Sequence, residues 1–205
     1  MTVVRAGDEL RTLLGEPSAL VRAKVSDRLN ELTRTFVDRS PFVLLATSAA
    51  DGTCDVSPRA DPPGFVRVLD DRTLLLPDRP GNRLADSLRN ILANPHVGLL
   101  FIIPGIGDTL RVNGRATVVT DPALLESSTV EGKTPRLGLR VEVDKVFTHC
   151  SKAFLRSRLW EPETFADRSE LPSSGELHRS LNPEFDAEGY DAQRADRYAR
   201  REGFY

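Results

Sequence analysis

The chain has 205 residues, 40% hydrophobic and 28% charged, a globular composition whose length suits one domain, or one domain with helical additions. Its formal charge of −2 lacks the basic footprint of a nucleic-acid binder, so no nucleic acid is expected as a partner. Residues 1–10 carry Asp8 and Glu9 and no apolar stretch. The longest apolar run, 97–106, is broken by Pro104 and falls far short of the ~20 residues of a membrane span. With only Cys54 and Cys150, no disulfide framework is expected either; the expected location is cytoplasmic, with no membrane partner.

Residues 10–37 read as helical. Leu13, Leu14, Leu20, Val21, Val25, Leu29, Leu32 and Phe36 recur at spacings of three and four, and Pro17 suits a helix start. Ser40 and Pro41 end that segment. Residues 42–47 are a short apolar run without helical period; the Asp51–Gly52 turn and a second extended run from Cys54 complete a hairpin. The stretch Asp61, Pro62, Pro63, Gly64 is a loop by composition. Residues 65–69 and 73–76 flank an Asp70–Asp71 turn as another strand pair. Asp78, Arg79, Pro80 and Gly81 then break the pattern, and Asn82 is expected to open a helix that Asn94 and Pro95 close.

Residues 97–103 read as a buried strand. From 109 to 119 the chain alternates: Leu110, Val112, Gly114, Ala116 and Val118 face one way, Arg111, Asn113, Arg115 and Thr117 the other. Asp121 and Pro122 start a short helix, residues 139–147 form a last strand, and 151–160 turn helical. Residues 171–175 read as loop. Residues 187–205 form an amphipathic extension that packs on the body or on a partner subunit, with disorder as the competing reading. Six or seven strands with one sizeable helix among them favour a closed or split antiparallel barrel over a doubly wound α/β fold.

Few residues form a familiar catalytic pattern. Gly105 and Gly107 begin a dinucleotide fingerprint but join two strands, without the strand–turn–helix context that binding requires. No nucleophile elbow is present. His149 and Cys150 are neighbours on a strand and point to opposite faces; His96 and His178 stand alone. No metal is expected. The informative stretch is the loop around Asp78, Arg79, Asn82 and Arg83. A helix start offers free N–H groups and a positive dipole end, and arginines add bidentate donors, so this loop suits a phosphate. An ordinary turn with solvated arginines is the alternative. Arg59, at the end of the second strand, reaches either a bound anion or Asp61, and Arg111 either joins the other arginines or faces water.

The ordered series of motifs from SPFVLLATSAADGTCDVSPRADPPGFVRVLDD through LLLPDRPGNRLADSLRNILANPHVGLLF to DTLRVNGRA resembles the pyridoxamine 5′-phosphate oxidase-related family of flavin mononucleotide (FMN)-binding split barrels. The resemblance implies a mainly β, α+β fold: a six-stranded antiparallel split β-barrel with flanking N- and C-terminal helices. It would comprise a barrel domain over 1–160 and an extension over 161–205. It implies FMN as cofactor, with Asp78, Arg79, Asn82 and Arg83 at its phosphate and Ser57, Pro58 and Arg59 beside the isoalloxazine. It further implies a homodimer with FMN at the interface, where Cys150, Ser151, Lys152 and Trp160 are candidates to reach the partner's flavin. Arg111 stands on the strand that carries a glutamine in the oxidase itself, a departure from that enzyme. The implied activity is FMN-dependent oxidoreduction of a small molecule that the sequence does not name. Flavin binding without turnover, and a deazaflavin or haem in the same cleft, are the alternatives.

Overall fold

The computed structural model describes residues 3–205. The stretch read as helical from 10 to 37 is three helices, α1 (Gly7–Leu14), α2 (Ala19–Ala23) and α3 (Glu31–Arg39). Gly15, at φ 73°, ends the first, because only glycine takes that conformation without strain. Ser18 caps the second through the N–H of Val21. Ser26 then leaves the helix to bridge Val146 on a distant strand, and a capping box between Asn30 and Thr33 starts the third. The apolar periodicity is continuous through this region, but capping and one tertiary bridge divide it.

Seven strands follow: β1 (Phe42–Ser48), β2 (Cys54–Ala60), β3 (Arg67–Val68), β4 (Thr73–Asp78), β5 (His96–Ile102), β6 (Thr109–Val119) and β7 (Leu137–His149). They form one antiparallel sheet in the order β2-β1-β5-β6-β7-β4-β3. The count is seven, within the six or seven read from the pattern and one more than the resemblance implies; β3 contributes two residues, paired to β4 at one edge. The predicted alternation of β6 holds, with Leu110, Val112 and Ala116 buried and Arg111, Arg115 and Thr117 exposed. One register shift occurs, at Asn113 and Gly114.

The sheet curls around its apolar face. Val43 and Leu45, Leu74 and Leu76, Leu99 and Phe101, Leu110 and Val112, Leu139 and Val141 meet inside it, and Val37 of α3 joins the same core. Fully burying such side chains contributes roughly 1.5–3 kcal/mol each before the entropy of ordering them. The edge strands β2 and β3 are not joined to each other by a backbone ladder. Side chains bridge this side of the barrel instead: Arg59 on β2 meets Asp78 at the end of β4, and Ser57 on β2 meets Ser87 on α4 (Asp86–Ala93). The barrel is therefore split, and side chains span the split.

Asn82 does not open α4. Its side chain accepts the N–H of Leu84, while Arg83 and Ala85, at φ 66° and 60°, are held in the left-handed region. The helix starts only at Asp86. A short helix, α5 (Pro122–Glu126), begins at the Asp121 cap as expected. The helix after β7, α6 (Lys152–Ser157), is shorter than the 151–160 stretch. Residues 171–175 are not simply loop: Ser173 caps α7 (Ser174–Leu181), which packs against α8 (Ala187–Ala199) through the N–H of Gly175 and the carboxylate of Asp191. Ser173 Oγ accepts from the N–H of Glu176 at 3.0 Å, and the Glu176 carboxylate accepts from the N–H of Ser173 at 2.6 Å. Ser173→Ala should lower stability by about 1 kcal/mol, read as a lower denaturant midpoint at unchanged slope. Among the described residues, no helix is long and apolar enough to cross a membrane.

Candidate functional site

A cleft of about 470 Å³ opens at the split. Strand alternation aims Ser57 and Arg59 from one face of β2 toward it, leaving Pro58 between them exposed on the other face. Opposite stand Asp78 at the end of β4, the loop through Arg79, Asn82 and Arg83, and the first turn of α4. The structure thus brings together six of the predicted residues: Ser57, Arg59, Asp78, Arg79, Asn82 and Arg83.

The donors in this cleft are only partly satisfied. Arg59 Nη1 lies 2.6 Å from Asp78 Oδ1, yet its Nε is buried with no hydrogen-bond partner. A buried orphan donor is costly unless something accepts from it. The hydroxyls of Ser57 and Ser87 are 3.1 Å apart. The left-handed Ala85 leaves α4 without a side-chain cap, so its first N–H groups are open to an acceptor. Arg83 is exposed and makes no ion pair among the described residues. Three acidic residues also line the cleft: Asp55 accepts from Asn90 at 2.7 Å, Asp78 is held by Arg59, and Asp86, exposed in the first turn of α4, makes no ion pair among the described residues. A phosphate monoester fits this donor set. It would supply an acceptor beside the orphan Nε, face the open helix start and give Arg83 a partner.

Arg79 is held from behind. Its Nε donates to Asp61 Oδ2 at 2.6 Å and its Nη2 to the carbonyl of Ser128 at 2.8 Å. Asp61 Oδ1 accepts from the hydroxyl of Tyr205 at 2.6 Å. The hydrogen bond to Asp61, then burial, raises the Tyr205 phenol above its ordinary pKa. The alternative of an Arg59–Asp61 pair is thereby corrected: Arg59 takes Asp78 and Asp61 takes Arg79. The Asp61–Tyr205 contact joins residues 144 apart in sequence, and no local pattern announces it. The sequence does not single out Ser87 for a simpler reason: a helix starting at Asn82 puts the first turn four residues before its observed start at Asp86.

The remaining candidates lie elsewhere. Arg111 and Lys152 line a separate cleft of about 700 Å³ on the outer face of β1, β5 and β6, together with Leu44 and Leu100. Arg111 donates to Asn113 and stacks over Phe147. Next to it the His149 imidazole is pushed below its usual pKa by burial and then by Arg111 and Lys24. Trp160 donates from Nε1 to the carbonyl of Ile106 at 3.0 Å and stacks on Phe154. It borders a third, wider cleft of about 1090 Å³, which also touches Arg79 and Asn82.

Comparison with known proteins adds the family. A family model described as pyridoxamine 5′-phosphate oxidase matches residues 29–150, more than half of the chain, from α3 to the end of β7. No curated protein matches the chain. Among solved structures, HupZ from Group A Streptococcus is 18% identical, with 60% of this chain and 95% of that one covered and a TM-score of 0.49. A conserved hypothetical protein from Mycobacterium tuberculosis is 18% identical, with 73% and 98% covered and a TM-score of 0.45. An FMN-binding protein from Syntrophomonas wolfei subsp. wolfei is 12% identical, with 57% and 88% covered and a TM-score of 0.44.

Proposed function

Because the chain belongs to the pyridoxamine 5′-phosphate oxidase family, we propose that it is an FMN-dependent oxidoreductase that holds the cofactor's phosphate in the split of the barrel. The observation that carries this reading is the unsatisfied donor set: the orphan Arg59 Nε, the uncapped start of α4 and the unpaired Arg83 all border one cleft. Bound FMN would supply the hydride or electron transfer. This chain's residues would do the binding. Arg59 and Arg83 neutralise the phosphate, the Ser57 and Ser87 hydroxyls donate to it, and the left-handed loop keeps the helix start clear for it. Arg79 and Asn82 complete the loop.

The proposed assembly is a homodimer, with the outer face of β1, β5 and β6 at the subunit contact. Val56 is 65% exposed there, and Arg111 and Lys152 flank the apolar surface. Trp160 would approach the neighbouring subunit's cofactor across that contact.

The first experiment is an absorbance spectrum of the purified protein after FMN is added and the excess removed. Flavin bands retained near one per chain are the expected result. A Soret band from endogenous haem with no retained flavin would overturn the cofactor assignment. Arg83→Ala is expected to weaken FMN about tenfold, as loss of one exposed charge-assisted contact should, measured by flavin fluorescence titration. Unchanged affinity would remove Arg83 from the phosphate site. Reduction of the bound flavin by nicotinamide donors then separates turnover from binding alone.

A further inference from the structure

Three segments meet at Asp61. It sits just after β2, its side chain is 1% exposed, and each of its oxygens is taken: Oδ2 by Arg79 Nε and Oδ1 by the hydroxyl of Tyr205, both at 2.6 Å. A carboxylate this buried is tolerated only when its lone pairs are filled. Tyr205 lies in the segment after α8, and that segment is tied down twice more, by Lys133 donating to the Tyr205 carbonyl at 3.0 Å and by Arg201 paired with Glu131 at 2.8 Å. The Tyr205 ring also lies under the Arg79 guanidinium, 5.2 Å from its centroid.

Arg79 is therefore fixed at Nε, at one Nη2 hydrogen and over its face. Both Nη1 hydrogens are without a partner among the described residues, and Arg79 lines the cleft at the split. An arginine free to rotate loses side-chain entropy when an anion captures it; one already held does not.

We propose that Tyr205 and Asp61 are positioning residues for the anion site: they hold Arg79 in the orientation that receives the phosphate, without touching the ligand themselves. This rests on the phosphate-site reading above. It makes the segment after α8 a working part of the site, contributed by the same chain that supplies Arg59 and Arg83.

The charge on Asp61 supplies a test of sign. If Asp61 acted only as a negative charge beside the site, removing it would tighten phosphate binding. If it holds Arg79, removing it loosens phosphate binding. The experiment titrates wild type, Asp61→Ala and Tyr205→Phe with FMN and with riboflavin, which differ by the phosphate alone. Tyr205→Phe keeps the ring under Arg79 and deletes only the hydroxyl, so it folds where a larger change at Asp61 fails.

The expected result is a preference for FMN over riboflavin in wild type that falls about threefold to tenfold in each variant, with riboflavin affinity unchanged. A loss shared equally by both ligands would mark a purely structural role and overturn the proposal. So would an Asp61→Ala variant that binds FMN more tightly. If wild type itself shows no preference for FMN, the phosphate-site reading fails instead. Preference retained in both variants leaves that reading standing and removes Tyr205 and Asp61 from the site.

Discussion

Arg59→Ala is expected to lower FMN affinity by about 100-fold, the largest single effect on binding in this protein. Truncating one partner of a desolvated charge pair costs roughly 2–5 kcal/mol, and about 2.7 kcal/mol corresponds to 100-fold. Two effects act in the same direction. The variant removes a guanidinium whose Nε has no hydrogen-bond partner within the protein. It also strips Asp78, whose side chain is only 22% exposed, of its counter-charge, leaving a carboxylate facing the incoming phosphate. The carboxylate accounts for much of the loss, which gives the argument its check. Arg59→Ala combined with Asp78→Ala should recover part of the affinity, because the repulsive partner goes too. Isothermal titration with FMN measures both variants. A double variant no better than the single one would mean that Asp78 contributes nothing to the penalty.

Arg59 was legible as a candidate in the sequence, but its partner was not. The run through Ser57, Pro58 and Arg59 follows an Asp–Gly turn, so local rules place it at the end of a strand. Which carboxylate it meets depends on how far the sheet curls. β2 is one edge of the sheet and β4 stands next to the other edge, and only closure of the barrel brings Arg59 to Asp78. Asp61, two residues away, was the reasonable local partner, and it is taken by Arg79 across the loop. Where the pattern is purely local, the sequence is explicit: the Asp51–Gly52 hairpin, the alternation of β6 and the Asp121 cap all stand where the residues put them.

Helix boundaries separate the two kinds of information more sharply. Asn82 is a good capping residue, and Leu84 and Leu88 follow at helical spacing, so an early start is the natural reading. The structure spends Asn82 on a local turn to Leu84, and Arg83 and Ala85 adopt left-handed conformations that intrinsic propensity disfavours for both. Such conformations cost about 1–3 kcal/mol each and concentrate at ligand sites. Here they leave the first turn of α4 uncapped beside the cleft. The sequence rule fails at the loop that lines the cleft. The division of residues 10–37 has a different cause: Gly15 and the caps at Ser18 and Asn30 interrupt the helix, and the bridge from Ser26 to Val146 is one that no periodicity within that segment encodes.

Gly114→Ala is expected to be the most destabilising small substitution in the barrel, by about 3 kcal/mol. Gly114 sits at the register shift between β6 and β7, where the two backbones come close enough that a Cβ would collide with the carbonyl oxygen of Glu142 and lie 3.3 Å from Val141 Cγ1. The obstacle is backbone, not the end of a flexible side chain, so relief requires the ladder to move. That ladder is the longest in the sheet, running from Thr109 opposite His149 to Val119 opposite Gly138, and it carries Val112, Ala116, Val141 and Val143 of the core. Gly52→Ala separates collision from lost backbone freedom. Gly52, at φ 90°, has open space where a Cβ would go, so that variant carries only the conformational penalty, about 1 kcal/mol. Thermal unfolding should therefore place Gly114→Ala about 10 °C below wild type and Gly52→Ala only a few degrees below. Equal shifts would mean that the β6–β7 bulge yields easily and that Gly114 is there for flexibility rather than for the close approach of two strands.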